Sequence, residues 1–176
     1  MELSEAIDLI HTTAIHQTEP QIWADLGCGT GLFTKALTHL LPSQSTIYAI
    51  DKDAMALDTI PDNYQNVLVK KLARDFTQSF SLPSLLDGIL MANSLHYVAD
   101  HLSFLQTIQS SLLQPSHKLL LIEYDTDKAN PWVPYPISFQ SLQKLATKAG
   151  YTTIEKLGTK ASLYGRANLY GALITK

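Results

Sequence analysis

Asp25, Gly27, Cys28, Gly29 and Gly31 fall within one stretch, Ile22-Trp23-Ala24-Asp25-Leu26-Gly27-Cys28-Gly29-Thr30-Gly31. A carboxylate followed by alternating glycines can hold a charged ligand against bare backbone, because glycine has no Cβ and tolerates φ > 0. The residues before the turn are apolar except Asp25 and read as a buried parallel strand. Leu32-Phe33-Thr34-Lys35-Ala36-Leu37 then starts a helical pattern. The turn therefore feeds a helix N-terminus, whose free N–H groups suit a carboxylate or a phosphate. Spacing narrows the choice. A dinucleotide fingerprint, G-x-G-x-x-G, would put its third glycine at 32. Here 32 is Leu and the third glycine is Gly31.

Further polar groups close later apolar runs. Asp51 ends the run Thr46-Ile47-Tyr48-Ala49-Ile50. A carboxylate at the end of the second strand can accept from both hydroxyls of a ribose. Gly27 and Asp51 are 24 residues apart, close to the interval of about 20 in such units. A cap for a helix at 53–59 is the plainer role for Asp51. Asp75-Phe76 follows the run 66–72, and Asn93 closes the run 87–93.

The stretch Asp25–Gly31 closely resembles the first motif of class I S-adenosylmethionine-dependent methyltransferases. The resemblance implies S-adenosyl-L-methionine as cofactor, with Asp25 helping to hold its methionyl amine, partly through water. Gly27 and Gly29 would let backbone lie against the cofactor, with Cys28 and Gly31 in the same turn. Asp51, with Lys52 beside it, would take the ribose. Asp75 would accept from the adenine amine, Phe76 would cover a ring face, and Asn93 would lie beneath the sulfonium. Cys28 is the single cysteine, which excludes an intramolecular disulfide and a Cys-based zinc site. Between two motif glycines it reads as a small filler. No metal is expected.

Ligands of open α/β sheets bind outside the carboxyl ends of the strands, so residues 93–97 would face the transferred methyl. His96 is the one well-placed candidate base there. A structural role or a pocket wall is its plainer alternative. The amino-methyltransferases of DNA and RNA carry Asn/Asp/Ser-Pro-Pro-Tyr/Phe at this place. Here the chain reads Asn93-Ser94-Leu95-His96 without proline, which argues against methylation of a base amine. His11, Tyr97, Tyr124, Trp132 and Tyr135 are the candidate acceptor pocket. Trp132 and Tyr135 lie in a loop, 125–137, with prolines at 131, 134 and 136. Prolines stiffen such a loop, and an aromatic loop beside strand ends makes a substrate wall.

The elements that must position these groups follow from periodicity. A helix over 3–17, capped by Ser4, precedes the core. Helices are expected at 32–41, 53–59, 100–113 and 138–149, the last stopped by Gly150. Strands are expected at 22–26, 46–50, 66–72, 87–93, 117–122, 151–157 and 167–174. The last two are separated by about ten residues without a helix pattern and should pair antiparallel. The fold expected is α/β: a doubly wound, mostly parallel seven-stranded sheet with a C-terminal antiparallel hairpin, of the Rossmann-like methyltransferase type. One domain spans 1–176, with residues 1–20 as an N-terminal helix over the core.

The 176 residues are 45% hydrophobic, which suits one domain with its own core. Thirteen basic and 16 acidic residues give a net charge of −3, and a nucleic-acid binder is usually basic. Charge is uneven: residues 1–127 hold 6 Lys/Arg against 15 Asp/Glu, and residues 128–176 hold 7 against Glu155 alone. The basic segment reads as a solvated face, with attraction of an anionic substrate as the alternative. The chain lacks 18 successive apolar residues and a basic leader, so no membrane span and a cytoplasmic setting are expected. The expectation is a methyltransferase acting on a small-molecule acceptor by in-line transfer. The rivals are an enzyme acting on RNA or another polyanion, and a non-catalytic nucleoside-binding module. Oligomeric state is left open.

Overall fold

The computed structural model describes residues 1–161 and 167–176. Its centre is an eight-stranded sheet in the order β3-β4-β2-β1-β5-β6-β8-β7. The strands are β1 (Ile22–Leu26), β2 (Thr46–Asp51), β3 (Asn63–Tyr64), β4 (Val67–Ala73), β5 (Leu86–Ala92), β6 (Leu113–Tyr124), β7 (Thr153–Lys160) and β8 (Leu169–Thr175). Neighbours among β4, β2, β1, β5 and β6 pair in parallel. β8 joins β6 antiparallel, and β7 joins β8 antiparallel. The seven expected strands are all present, the last shifted to Leu169–Thr175. The eighth, β3, is a two-residue antiparallel edge on β4. Two residues are too few to give a period, so it left no trace in the pattern. Residues 162–166 of the final hairpin connection lie outside the described residues.

The alternation of side chains along a strand divides the core between the two faces. Trp23, Ile47, Leu90, Leu120 and Leu173 pack with α1 (Leu3–Ile10) and α2 (Leu32–Thr38). Ala24, Tyr48, Ile89, Met91, Leu119 and Leu121 pack with α4 (His101–Ser111) and α5 (Phe139–Lys148). The remaining helix, α3 (Ala54–Asp58), covers Ala49 and Val69 with Leu57.

Three helices start on a side-chain cap. Asp53 accepts from the N–H groups of Met55 and Ala56, Asp100 from that of Ser103 and Ser138 from that of Ser141. Several expected boundaries are corrected. The helix over 3–17 ends at Ile10, and a separate 3₁₀ turn spans Thr13–Ile15. Ser4 is not its cap: Glu2 is, and the Glu5 carboxylate accepts from the Glu2 N–H at 2.8 Å. The second helix stops at Thr38 rather than Leu41.

Strand order reverses between β1 and β5: the chain runs β1 to β2 to β4 on one side and β5 to β6 on the other. The carboxyl ends of these strands on either side of such a switch point form the crevice of an open α/β sheet.

Candidate active site

The glycine turn closes β1 by hydrogen bonds to its neighbour. The N–H groups of Gly27 and Cys28 both donate to the Ile50 carbonyl, at 2.8 and 3.2 Å. The N–H of Gly29 donates to Asp51 Oδ2 at 2.8 Å, and Asp51 Oδ1 accepts from the Asp53 N–H at 2.9 Å. Asp51 is thus a fixed carboxylate at the end of β2 that keeps lone pairs for further donors.

All three glycines have positive φ, at 78°, 53° and 83°, but for different neighbours. A Cβ on Gly27 would stand 2.6 Å from Ser94 Cβ and 3.0 Å from the Phe76 ring. One on Gly31 would stand 2.8 Å from Ile60. At Gly29 nothing lies within 4 Å. The space beside Gly27 thus holds protein, and the open one is at Gly29.

Asp25 is fully buried. Its Oδ2 accepts from Thr34 Oγ1 at 2.7 Å, and its Oδ1 has no partner among the described residues. Burial pushes its carboxyl up to about 7, against the Thr34 hydrogen bond and with the help of the Asp51 charge. Burial also raises the Cys28 thiol far above its ordinary range, and the Asp25 and Asp51 charges add to this. A thiolate nucleophile is thereby disfavoured. Lys52 is exposed just beyond Asp51.

Asp75 is exposed, with Oδ1 accepting from the Thr77 N–H at 2.9 Å and from its Oγ1 at 2.6 Å. Those bonds hold its carboxyl below the usual range. Phe76 turns inward instead: it is buried and meets Phe104 edge to face at 6.1 Å. Its ring also lies beside Gly27.

On the other side of the switch point, Asn93 follows β5 with φ 54° and donates its N–H to the Ile122 carbonyl at 2.8 Å. Its Oδ1 is buried without a partner among the described residues. Ser94 Oγ donates to the Leu26 carbonyl at 2.6 Å and so ties the two strand ends together. A single 3₁₀ turn, Leu95–Tyr97, then carries His96.

His96 is buried, and it is held twice by Glu123 at the end of β6. The His96 N–H donates to Glu123 Oε1 at 3.2 Å, and its Nδ1 lies 2.7 Å from Glu123 Oε2. Glu123 is itself buried. His101 at the start of α4 feels the Glu123 charge, but burial is the stronger influence and lowers its imidazole.

A cavity of about 870 Å³ opens at Asn93 and His96. Tyr97, Tyr124, Trp132 and Val133 wall it, with Thr126, Lys128 and Asn130 among the lining residues. Its loop is well anchored. Asp127 accepts from the Ser138 N–H and Oγ, both at 2.8 Å, and from Ser141 Oγ at 3.0 Å. Asn130 Oδ1 accepts from the N–H groups of Trp132 and Val133.

The structure thus brings Asn93, His96, Tyr97, Tyr124 and Trp132 to one cavity. Tyr135 does not line it; its N–H donates to the His96 carbonyl at 3.0 Å and its ring is half exposed. His11 does not line it either, and lies exposed past the end of α1 against His16 at 5.8 Å. Reading by motif missed Glu123, Thr34 and Ser94. For Glu123 a signal existed: a carboxylate directly after the apolar run Leu119–Ile122, where burial calls for a partner.

These features fit a nucleoside cofactor bearing an ammonium. Gly29 offers open space at positive φ, Asp51 a fixed carboxylate, and Asp25 a buried orphan acceptor. Together with the crevice of a five-stranded parallel sheet they fit a Rossmann-like cofactor-dependent enzyme. The chain belongs to the methyltransferase domain family, whose model matches residues 2–173. No protein of curated function matches it.

Among solved structures it resembles a SAM-dependent methyltransferase from Methanosarcina mazei, with TM-score 0.69 and 15% identity over 96% of this chain and 99% of that one. It also resembles magnesium protoporphyrin IX methyltransferase from Synechocystis, with TM-score 0.70 and 13% identity over 99% of this chain and 77% of the other. A third likeness is to 1,6-didemethyltoxoflavin-N1-methyltransferase from Burkholderia thailandensis, with TM-score 0.70 and 17% identity over the same shares, 99% and 77%. By family and fold the protein is a class I S-adenosylmethionine-dependent methyltransferase. No helix among the described residues is long and apolar enough to cross a membrane.

Proposed function

We propose that this single domain methylates a small-molecule acceptor held in the cavity between Asn93 and Trp132. The observation that carries the reading is the cavity's position. Its volume of about 870 Å³ begins at Asn93, on the far side of the switch point from Asp51 and the glycine turn. That volume is within the range of small-molecule sites, about 300–1,000 Å³. The toxoflavin enzyme from Burkholderia thailandensis, of like fold, was solved with its small acceptor bound.

Asp25, Gly29 and Asp51 would hold the cofactor, with Asp75 and Lys52 at its adenosine end and Asn93 near its reactive centre. When bound, S-adenosylmethionine supplies a methyl already activated by its sulfonium. The chain's own work is to hold acceptor and methyl in line and to exclude water. Ser94 and Asn93 fix the two strand ends on which that alignment depends. The anchored loop 125–137 closes the acceptor side.

The test is mass spectrometry of cell extract incubated with the protein and methyl-labelled cofactor. Label in a compound of low molecular mass is expected. Label confined to RNA or protein would overturn the reading.

A further inference from the structure

We infer that His96 and Glu123 together form the proton acceptor for a substrate that arrives protonated, and that this substrate is an aromatic hydroxyl. The inference rests on the function proposed above, since it assigns the acceptor of that same cavity.

Glu123 commits both oxygens to one residue: Oε1 to the His96 N–H and Oε2 to Nδ1. A buried carboxylate 2.7 Å from Nδ1 fixes the tautomer with hydrogen on that nitrogen. Nε2 is then the ring nitrogen left with a lone pair, on a side chain that lines the cavity. The same carboxylate stabilises the imidazolium once a proton is taken up. A wall residue needs none of this. Isolated charge at this depth is costly, and a phenylalanine would fill the wall without it. His101, the other imidazole beside Glu123, does not line the cavity.

The ring preference comes from Trp132 and Tyr97. Trp132 is 71% exposed and Tyr97 55% exposed. The Trp132 backbone is nevertheless pinned by Asn130. A fixed backbone that holds a large ring in the open, at the mouth of a cavity, offers a face for a planar ligand. As the hydroxyl oxygen's lone pair becomes the new O–CH₃ bond, the electrons of the S–CH₃ bond stay on sulfur. The hydroxyl proton goes to His96 Nε2 and later to solvent.

The test uses 4-nitrophenol as probe, with the protein saturated by S-adenosylhomocysteine, at a pH below the probe's own pKa. Trp132 is an exposed reporter and Trp23 a buried one, so quenching of the exposed tryptophan reads binding. Appearance of the yellow phenolate band reads proton transfer. Wild type should show both. His96→Gln should still quench, within about threefold in affinity, but lose the band. A wild type that binds without the band, or a variant that keeps it, overturns the base. Failure of 4-nitrophenol to quench while S-adenosylhomocysteine binds overturns the aromatic acceptor alone. Failure of S-adenosylhomocysteine to bind overturns the proposed function beneath it. Should His96→Gln not fold, the ¹⁵N chemical shifts of the wild-type ring decide. Hydrogen on Nδ1, lost as the dominant tautomer in Glu123→Gln, is expected, and hydrogen on Nε2 overturns the proposal.

Discussion

Gly29 donates its backbone N–H to Asp51 Oδ2 at 2.8 Å. One hydrogen bond thus ties the open glycine of the β1 turn to the carboxylate that ends β2. The proposed cofactor site therefore depends on both residues at once.

Asp51→Asn tests that dependence. The amide oxygen can meet only one of the Gly29 and Asp53 N–H groups and the charge is lost; hydrogen bonds to charged groups are worth about 1.5–3 kcal/mol each. Calorimetry should show S-adenosylhomocysteine bound at least tenfold more weakly by a variant that stays folded at the temperature of the titration. Equal affinity would reduce Asp51 to a structural clamp on the Gly29 and Asp53 N–H groups.

The glycines should separate by their surroundings. Gly29→Ala meets nothing within 4 Å and should cost about 1–2 kcal/mol of stability from its left-handed backbone, while cofactor affinity falls. Gly27→Ala drives a Cβ to 2.6 Å from Ser94 and adds an overpacking cost of about 1–3 kcal/mol. Urea unfolding should rank Gly27→Ala clearly below Gly29→Ala, and the reverse order would contradict the packing described.

Asp25 should make stability depend on pH. Its carboxyl is raised to about 7 when folded, from about 3.9 when unfolded. The folded chain therefore binds the extra proton, and this contribution is fully present below about pH 4 and lost as pH rises through 7. A tenfold difference in proton affinity between the two states is worth about 1.4 kcal/mol. Besides Thr34 on α2, Asp51 on β2 is the charged group that acts on it. Urea midpoints of wild type should fall more steeply between pH 4 and 7 than those of Asp25→Asn. Parallel curves would show that Asp25 is ionised throughout. Binding of S-adenosylhomocysteine near neutrality should also release a proton, absent in the Asn variant.

Trp132→Ala removes a ring that packs little of the core. Stability should stay within about 0.5 kcal/mol of wild type. Once an acceptor is in hand, its KM should rise while affinity for S-adenosylhomocysteine holds. A large loss of stability would instead mark Trp132 as a packing residue.

Much of this was legible in the chain itself. The apolar runs ending in Asp25, Asp51 and Asn93 carried the parallel strands, and Gly150 with Ser138 framed α5. What was not legible were partnerships across the sheet. His96 and Glu123 are 27 residues apart and meet only because β5 and β6 lie side by side. The packing of Phe76 against Phe104 is of the same kind, since the two are brought together only by the fold. The helix over 3–17 broke although its apolar period continues past His11, where the backbone leaves the helix with ψ 122°. The edge β3 depends on pairing with β4 and not on its own two residues.

The β1 turn and Asp51 are proposed to hold S-adenosylmethionine. Titration calorimetry with S-adenosylhomocysteine, and separately with NAD, is the measurement that decides. One S-adenosylhomocysteine per chain and no heat from NAD are expected. Binding of NAD, or no binding of S-adenosylhomocysteine by well-folded protein, would contradict it.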